Sequence, residues 1–283
     1  MNWTTLVDAD ALHAALGSPT LRLVDCRHQL ADPEAGLRAG REAHLPGAGH
    51  AHLDRELSDL SKPKSQGRHP LPDAAAFCAT LARLGITPES QVVAYDAGDG
   101  AMAAARFWWL LRLLGHRCVA VLDGGIAAWQ AAGYPVRSDA PSIAPGSYHG
   151  EFSTAAQVDL AAVQTRLGQA PGWLLDARPP ERFRGEVEPL DPVAGHIPGA
   201  RNRPVAANLR DGRFKPADEL RAELQAQIGG YRPEDVVLSC GSGVTACHNL
   251  LAMEHAGLPG ARVFPASWSG WVSDASRPIA TGA

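Results

Sequence analysis

Four short blocks occur twice in this chain of 283 residues, in the same order and at nearly constant separation. Leu23-Val24-Asp25-Cys26-Arg27 is answered by Leu174-Leu175-Asp176-Ala177-Arg178, and His44-Leu45-Pro46-Gly47-Ala48 by His196-Ile197-Pro198-Gly199-Ala200. Val92-Val93-Ala94-Tyr95-Asp96 returns as Val236-Val237-Leu238-Ser239-Cys240. Val121-Leu122-Asp123-Gly124-Gly125 with Trp129 returns as Val263-Phe264-Pro265-Ala266-Ser267 with Trp271. The offsets run from 142 to 152 residues. A period this long signals duplicated domains, because solenoid units repeat every ~20–50 residues. The duplication predicts two domains, residues 1–138 and 153–283, joined by a linker at 139–152, where Pro141, Pro145, Gly146 and Gly150 fall without hydrophobic periodicity.

Inside each half, short Leu/Val/Ile runs alternate with helical patterns. Continuous apolar runs such as 91–95 and 118–122 suit strands buried on both faces, as in a parallel sheet. Pro72-Asp73 opens a helix that carries Phe77, Leu81 and Leu84 to a stop at Gly85, and Lys215-Pro216-Ala217-Asp218 opens its counterpart, which ends at Gly229-Gly230. The predicted fold class is therefore α/β: two similar domains, each a small, mainly parallel sheet with helices on both faces. Phe107-Trp108-Trp109-Leu110-Leu111 reads as a core helix behind the first sheet.

A hydrophobic fraction of 45% is enough for a sizeable core, and a net charge of -4 supplies no basic excess to attract nucleic acid or an acidic membrane surface. No segment approaches the ~18 uninterrupted apolar residues of a membrane span, and residues 1–16 lack a basic stretch followed by an apolar run. The five cysteines, an odd number thinly spread, do not form a disulfide framework and fit a reducing compartment, so a cytoplasmic location is expected.

One segment carries chemistry. Asp235 to Ser239 reads as a buried strand, Cys240-Gly241-Ser242-Gly243-Val244-Thr245 as a sharp Gly-rich turn, and Ala246 onward as a helix. A cysteine at that junction faces the positive pole of the helix dipole and several unpaired amides, a setting in which thiols ionise at or below neutral pH. Gly241 and Gly243 let the chain wrap so that successive N–H groups point inward as an anion nest, able to hold a thiolate, a persulfide or a neighbouring oxyanion. The competing reading, a structural cysteine after a strand, leaves the Gly-x-Gly turn unexplained.

Taken together, the duplicated halves, the Asp-x-Arg and His-[Leu/Ile]-Pro-Gly-Ala blocks, and the Cys240-to-Ala246 loop present only in the second half resemble the tandem rhodanese sulfurtransferases. Among them the loop is most similar to that of the mercaptopyruvate sulfurtransferases. The resemblance implies two rhodanese-like domains, the first without a nucleophile, since Asp96 stands where the repeat has Cys240. It implies that Cys240 accepts sulfur as a persulfide, that Gly241, Ser242, Gly243, Val244 and Thr245 cradle it, and that Arg182 holds the anionic group of the substrate. An arginine fork suits a carboxylate because it donates two parallel hydrogen bonds. Asp54, His69 in Arg68-His69-Pro70-Leu71-Pro72, and Ser242 match positions that could form a proton relay, although the Asp54-to-His69 spacing is longer than the family pattern and His69 also reads as an exposed loop histidine. One departure stands out. Leu190, in Glu188-Pro189-Leu190-Asp191, replaces a second substrate arginine, so anion binding is weaker or Arg184 or Arg201 compensates.

The resemblance further implies a small-molecule sulfur donor, a thiol or cyanide acceptor with thioredoxin as a candidate, and no metal or organic cofactor. The donor expected is 3-mercaptopyruvate, with thiosulfate as the alternative and a non-enzymatic sulfur-carrying or binding module as the reading from another class. Phosphatases with a similar Cys loop need an arginine six residues after the cysteine, and position 246 is Ala. The turn lacks the Gly-Lys-[Ser/Thr] ending of a nucleotide cradle. Cys240, Cys247 and His248 fit no common zinc spacing, and Cys247 and His248 are expected on the helix, one facing the core and the other solvent.

Overall fold

The computed structural model describes residues 1–98, 100 and 102–282. The chain divides into two compact units, one comprising 1–59, 72–153 and 211–214, the other 60–71, 154–210 and 215–283. Each contains a parallel sheet.

In the first unit the strands are β1 (Leu6–Val7), β2 (Leu21–Asp25), β3 (Gly49–His50), β4 (Gln91–Tyr95) and β5 (Val119–Leu122), arranged in the order β1-β5-β4-β2-β3. All pairs are parallel, with Asp25 opposite Tyr95 and Ala94 opposite Val121. Central β4 is buried along its whole length, which is why it reads as an unbroken apolar run rather than an alternating one. The helices are α1 (Ala9–Ala14), α2 (Ala35–Glu42), α3 (Leu53–Glu56), α4 (Ala74–Arg83), α5 (Ala103–Leu113) and α6 (Gly125–Ala131). Helix α5 buries Phe107, Trp108, Trp109, Leu110 and Leu111, as expected of a core helix. The stretch 139–152, read from sequence as a linker, is laid down on this unit: the Gly146 N–H donates to the Ala82 carbonyl at 2.7 Å, and Tyr148 is buried with its hydroxyl 3.1 Å from His116 Nδ1.

The second unit has β6 (Leu174–Asp176), β7 (Arg201–Asn202), β8 (Val237–Ser239) and β9 (Arg262–Val263), in the order β9-β8-β6-β7 and again parallel. Its helices are α7 (Leu160–Thr165), α8 (Pro180–Phe183), α9 (Ala217–Ile228), α10 (Ala246–His255) and α11 (Ser267–Trp271). The core gathers Trp173, Leu174, Val237, Phe264, Trp268 and Trp271. Residues 60–71, which precede this half in sequence, pack here.

The duplication extends to the smallest devices. Asp8 and Asp159 cap α1 and α7 by accepting the Ala11 and Ala162 N–H groups, each at 2.7 Å. Asp25–Arg27 and Asp176–Arg178 are matching ion pairs, at 2.5 and 2.7 Å. Trp129 and Trp271 donate their indole N–H to the Pro135 and Pro278 carbonyls, each at 2.9 Å. Among the described residues no helix is long and apolar enough to cross a membrane.

Candidate active site

Cys240 follows the last residue of β8 at the carboxyl end of the second sheet, where open parallel sheets place their ligands. It is 1% exposed. Its Sγ accepts the Gly243 N–H at 3.0 Å and the Ser242 N–H at 3.4 Å, so two loop amides converge on the sulfur as the Gly-rich sequence predicted. Gly243 makes this turn possible. Its φ is +76°, and a methyl group there would stand 2.2 Å from the Pro265 carbonyl oxygen.

Behind the sulfur lies Ser267, which sequence reasoning noticed only as part of a repeated block. Its hydroxyl accepts the Cys240 N–H at 3.0 Å, donates to the Phe264 carbonyl at 2.9 Å, and lies 4.0 Å from Sγ. Ser267 has φ +50°, whereas the first repeat places Gly125 at the equivalent position with φ +56°. A serine in this left-handed region costs on the order of 1 kcal/mol relative to glycine. The strain is kept where the hydroxyl contacts the nucleophile loop.

Two guanidinium groups face the loop from the other side. A methyl group placed on Gly241 would lie 3.2 Å from Arg68 Nη2 and 3.6 Å from Arg182 Nη1. Among the described residues neither nitrogen donates to the protein, while another nitrogen of each guanidinium is held by a carboxylate. Arg182 Nη2 pairs with Glu188 at 2.5 Å and Asp191 at 3.3 Å, and Arg68 Nη1 pairs with Asp191 at 2.6 Å. Glu188 also faces Arg178 Nη1 at 3.5 Å. Burial raises the Asp191 carboxyl above its ordinary range; Arg68 opposes this, Glu188 adds to it, and Arg182 opposes it again.

The two arginines named as possible replacements at Leu190 lie elsewhere. Arg184 pairs with Glu186 at 2.7 Å and Arg201 donates to the Gln227 carbonyl at 2.6 Å; neither is part of the Gly241 cluster. The second guanidinium beside Gly241 belongs to Arg68. Its only sequence cue was adjacency to His69. Leu190 itself is 45% exposed, and the anchors Glu188 and Asp191 flank it in sequence.

His69 is buried rather than an exposed loop residue, with Nδ1 2.8 Å from Ser242 Oγ. Of the three residues expected to form a relay, His69 and Ser242 are hydrogen-bonded within the second unit. Asp54 lies on α3 of the first unit, where its carboxylate and ring nitrogens of His28 and His52 lie within 4.8 Å of one another. This trio is poorly arranged for a metal. His52 Nδ1 accepts the Asp54 N–H at 3.1 Å, which leaves the proton of a neutral ring on Nε2, facing Glu34 at 3.3 Å.

Val244 and Thr245 complete the loop, and Cys247 is buried as expected. His248, one of the helix pair expected to be divided between core and solvent, is likewise fully buried. Its Nδ1 lies 3.2 Å from Asn208 Nδ2, which donates to Asn249 at 2.7 Å; a polar network beneath α10 supplies partners that the helix pattern alone did not reveal.

At the equivalent place in the first unit, Asp96 fills its own turn: Oδ1 accepts the Gly100 N–H at 2.9 Å and the Gly98 N–H at 3.3 Å. Asp99, read from sequence as an acidic residue that would oppose a thiolate there, lies outside the described residues. The offset of 151 that relates Asp25 to Asp176 sets Ala31 where the second unit has Arg182. Asp96→Cys is therefore expected not to create a second sulfur-carrying site. Mass spectrometry of the donor-treated variant should find no persulfide at position 96, and finding one would refute the expectation.

The model of the "Rhodanese-like domain" family matches residues 8–132 and 159–274. A Pseudomonas aeruginosa protein named as a probable 3-mercaptopyruvate sulfurtransferase is 48% identical over 284 residues, covering 100% of both chains. A Mycobacterium tuberculosis chain whose name assigns it provisionally to the thiosulfate sulfurtransferases is 41% identical over 270 residues, covering 94% of this chain and 92% of its own. The crystal structure of a 3-mercaptopyruvate sulfotransferase from Escherichia coli superposes with a TM-score of 0.81 at 31% identity, covering 94% of this chain and 99% of that one.

Proposed function

The chain belongs to the rhodanese family, with two rhodanese-like domains, and from that premise we propose that it is an enzyme that takes sulfur from 3-mercaptopyruvate onto Cys240 and passes it to a thiol or to cyanide. The observation that carries the proposal is the juxtaposition of Cys240 Sγ, held by two loop amides, with Arg182 Nη1 and Arg68 Nη2 converging over Gly241.

In the first half-reaction the Cys240 thiolate attacks the sulfur of the donor. The carbon–sulfur bond breaks, its electron pair leaves on the methylene carbon as the enolate of pyruvate, and the proton of the donor thiol completes pyruvate. The two guanidinium nitrogens fork the donor carboxylate. Ser242, supported by His69, meets the carbonyl oxygen on which the enolate charge gathers, a stabilisation of the oxyanion-hole kind worth roughly 3–4 kcal/mol per donor. In the second half-reaction the acceptor attacks the outer sulfur and Cys240 leaves as thiolate, held again by the loop amides. A thioredoxin-type protein thiol is a second candidate acceptor, and the odd, thinly spread cysteines support a cytoplasmic location.

Thiosulfate is a dianion, and the loop offers it no cationic side chain after Cys240, only neutral Gly241 and Ser242. One carboxylate matches the fork better. The ratio of kcat/KM is expected to favour 3-mercaptopyruvate over thiosulfate with a common acceptor, and Arg182→Ala should lower kcat/KM for mercaptopyruvate at least about tenfold, ~1.4 kcal/mol in transition-state terms. Steady-state assays of both donors test this. A preference for thiosulfate would overturn the donor while leaving sulfur transfer through Cys240 in place.

A further inference from the structure

The second unit holds an open cavity of about 350 Å³ whose lining includes the Arg68–Asp191 pair together with Leu60, Lys62, Lys64, Leu190 and Ser269. Ser269 links its wall to the loop. The Ser269 N–H donates to the Gly241 carbonyl at 2.9 Å, and Ser269 Oγ accepts the Arg68 N–H at 2.9 Å. Leu60 and Leu190, 54% and 45% exposed, are among the few large apolar side chains left to solvent, and they flank the same cavity. Three cations line it against one carboxylate, Asp191, which Arg68 and Arg182 already neutralise. Lys62 Nζ is held on the Leu71 carbonyl at 2.8 Å, whereas the Lys64 side chain is exposed and its ammonium makes no hydrogen bond or ion pair among the described residues.

We propose that this cavity binds the sulfur acceptor, and that the acceptor it fits is a small thiol carrying carboxylate charge. The proposal rests on the sulfurtransferase reading of Cys240. A ping-pong enzyme releases the desulfurated donor before the acceptor engages the persulfide, so Arg68 can serve the donor carboxylate through Nη2 and then border the acceptor, whose anionic end reaches Lys64. The volume suits a molecule the size of a tripeptide or smaller, and the leucines cover its aliphatic part. Cyanide needs no such site. Transfer is balanced within the two substrates: the acceptor thiolate forms a bond to the outer sulfur, the sulfur–sulfur bond to Cys240 breaks, and its electron pair returns to Cys240.

Two variants outside the sulfur-transfer machinery test this, with 3-mercaptopyruvate as donor and glutathione, 2-mercaptoethanol or cyanide as acceptor. Lys64→Glu reverses the exposed charge, and Ser273→Trp obstructs the cavity, whose wall Ser273 completes. Lys64→Glu is expected to raise the KM for glutathione at least about fivefold, the scale of exchanging an attractive surface charge for a repulsive one, while leaving cyanide and neutral 2-mercaptoethanol unchanged. Ser273→Trp should raise the KM for glutathione and leave cyanide turnover intact. An unchanged KM for glutathione in both variants, or an equal change for all three acceptors, overturns the cavity as the acceptor site. Absence of cyanide turnover in the unaltered enzyme would instead overturn the sulfurtransferase reading, and this proposal with it.

Discussion

Cys240→Ser is expected to lower kcat/KM by a factor on the order of 10⁴ or more with every donor and acceptor pair, while the protein remains folded. The hydroxyl occupies nearly the space of the thiol, and the loop N–H groups that point at Sγ can donate to an oxygen, so the strand, turn and helix around position 240 keep their contacts. What serine cannot do is accept sulfur. Donor-treated wild-type protein should therefore carry one additional sulfur, localised to Cys240 by peptide mass spectrometry, and the variant none. The other thiols sharpen the test. Cys26 is fully buried, and burial, reinforced by Asp25, Asp96 and Glu56, pushes its thiol well above the ordinary range, so it stays protonated and unreactive at neutral pH. Cys247 is fully buried with its sulfur directed at the Gly243 carbonyl at 3.3 Å. Sulfur found on either residue, or residual turnover in the serine variant, would remove Cys240 from its role.

The parts of this molecule that could be read from sequence are those whose physics is local. The Cys240 loop is contiguous: the strand, the two glycines and the helix start follow one another, so the convergence of amides on the sulfur is written in consecutive residues. The α/β architecture was legible for a related reason, since strands buried on both faces leave continuous apolar runs and the duplication showed each run twice. Arg68 was not legible. It comes from a segment 172 residues before Cys240, and only packing of 60–71 into the second unit brings its guanidinium to Gly241. Leu190 marks the same limit. A missing arginine at one sequence position says nothing about a cation supplied from elsewhere, and the exposed leucine sits between the two carboxylates that hold the arginines in place. His248 shows the converse limit: a histidine on a helix pattern reads as solvent-facing unless the partners that satisfy it, here Asn208 and the network it joins, are known in advance.

Gly243→Ala should be the most damaging change that leaves every reacting group in place. A residue with a Cβ at φ +76° costs on the order of 1–2 kcal/mol, and here the methyl group would also stand 2.2 Å from the Pro265 carbonyl oxygen, a backbone atom that cannot rotate away. The chain has to move. The movement is confined between Cys240 and α10, so it is expected to withdraw the Gly243 N–H, the shorter of the two amide contacts to the sulfur at 3.0 Å. Loss of one preorganised donor to a developing anion typically slows a reaction about 10²–10³-fold, and that is the fall in kcat/KM expected here. Thermal denaturation should show a decrease of roughly 5–10 °C, because the strain falls on one loop of an otherwise intact unit. Ser242→Ala provides the comparison. It keeps the backbone N–H that points at Sγ and introduces no new atom, so its melting temperature should fall only by the loss of the buried His69–Ser242 hydrogen bond, and its activity loss should reflect only the hydroxyl that His69 supports. If Gly243→Ala retained wild-type kcat/KM, the amide cradle would not be what holds the Cys240 anion, and stabilisation would have to be sought in Arg68 and Arg182 alone.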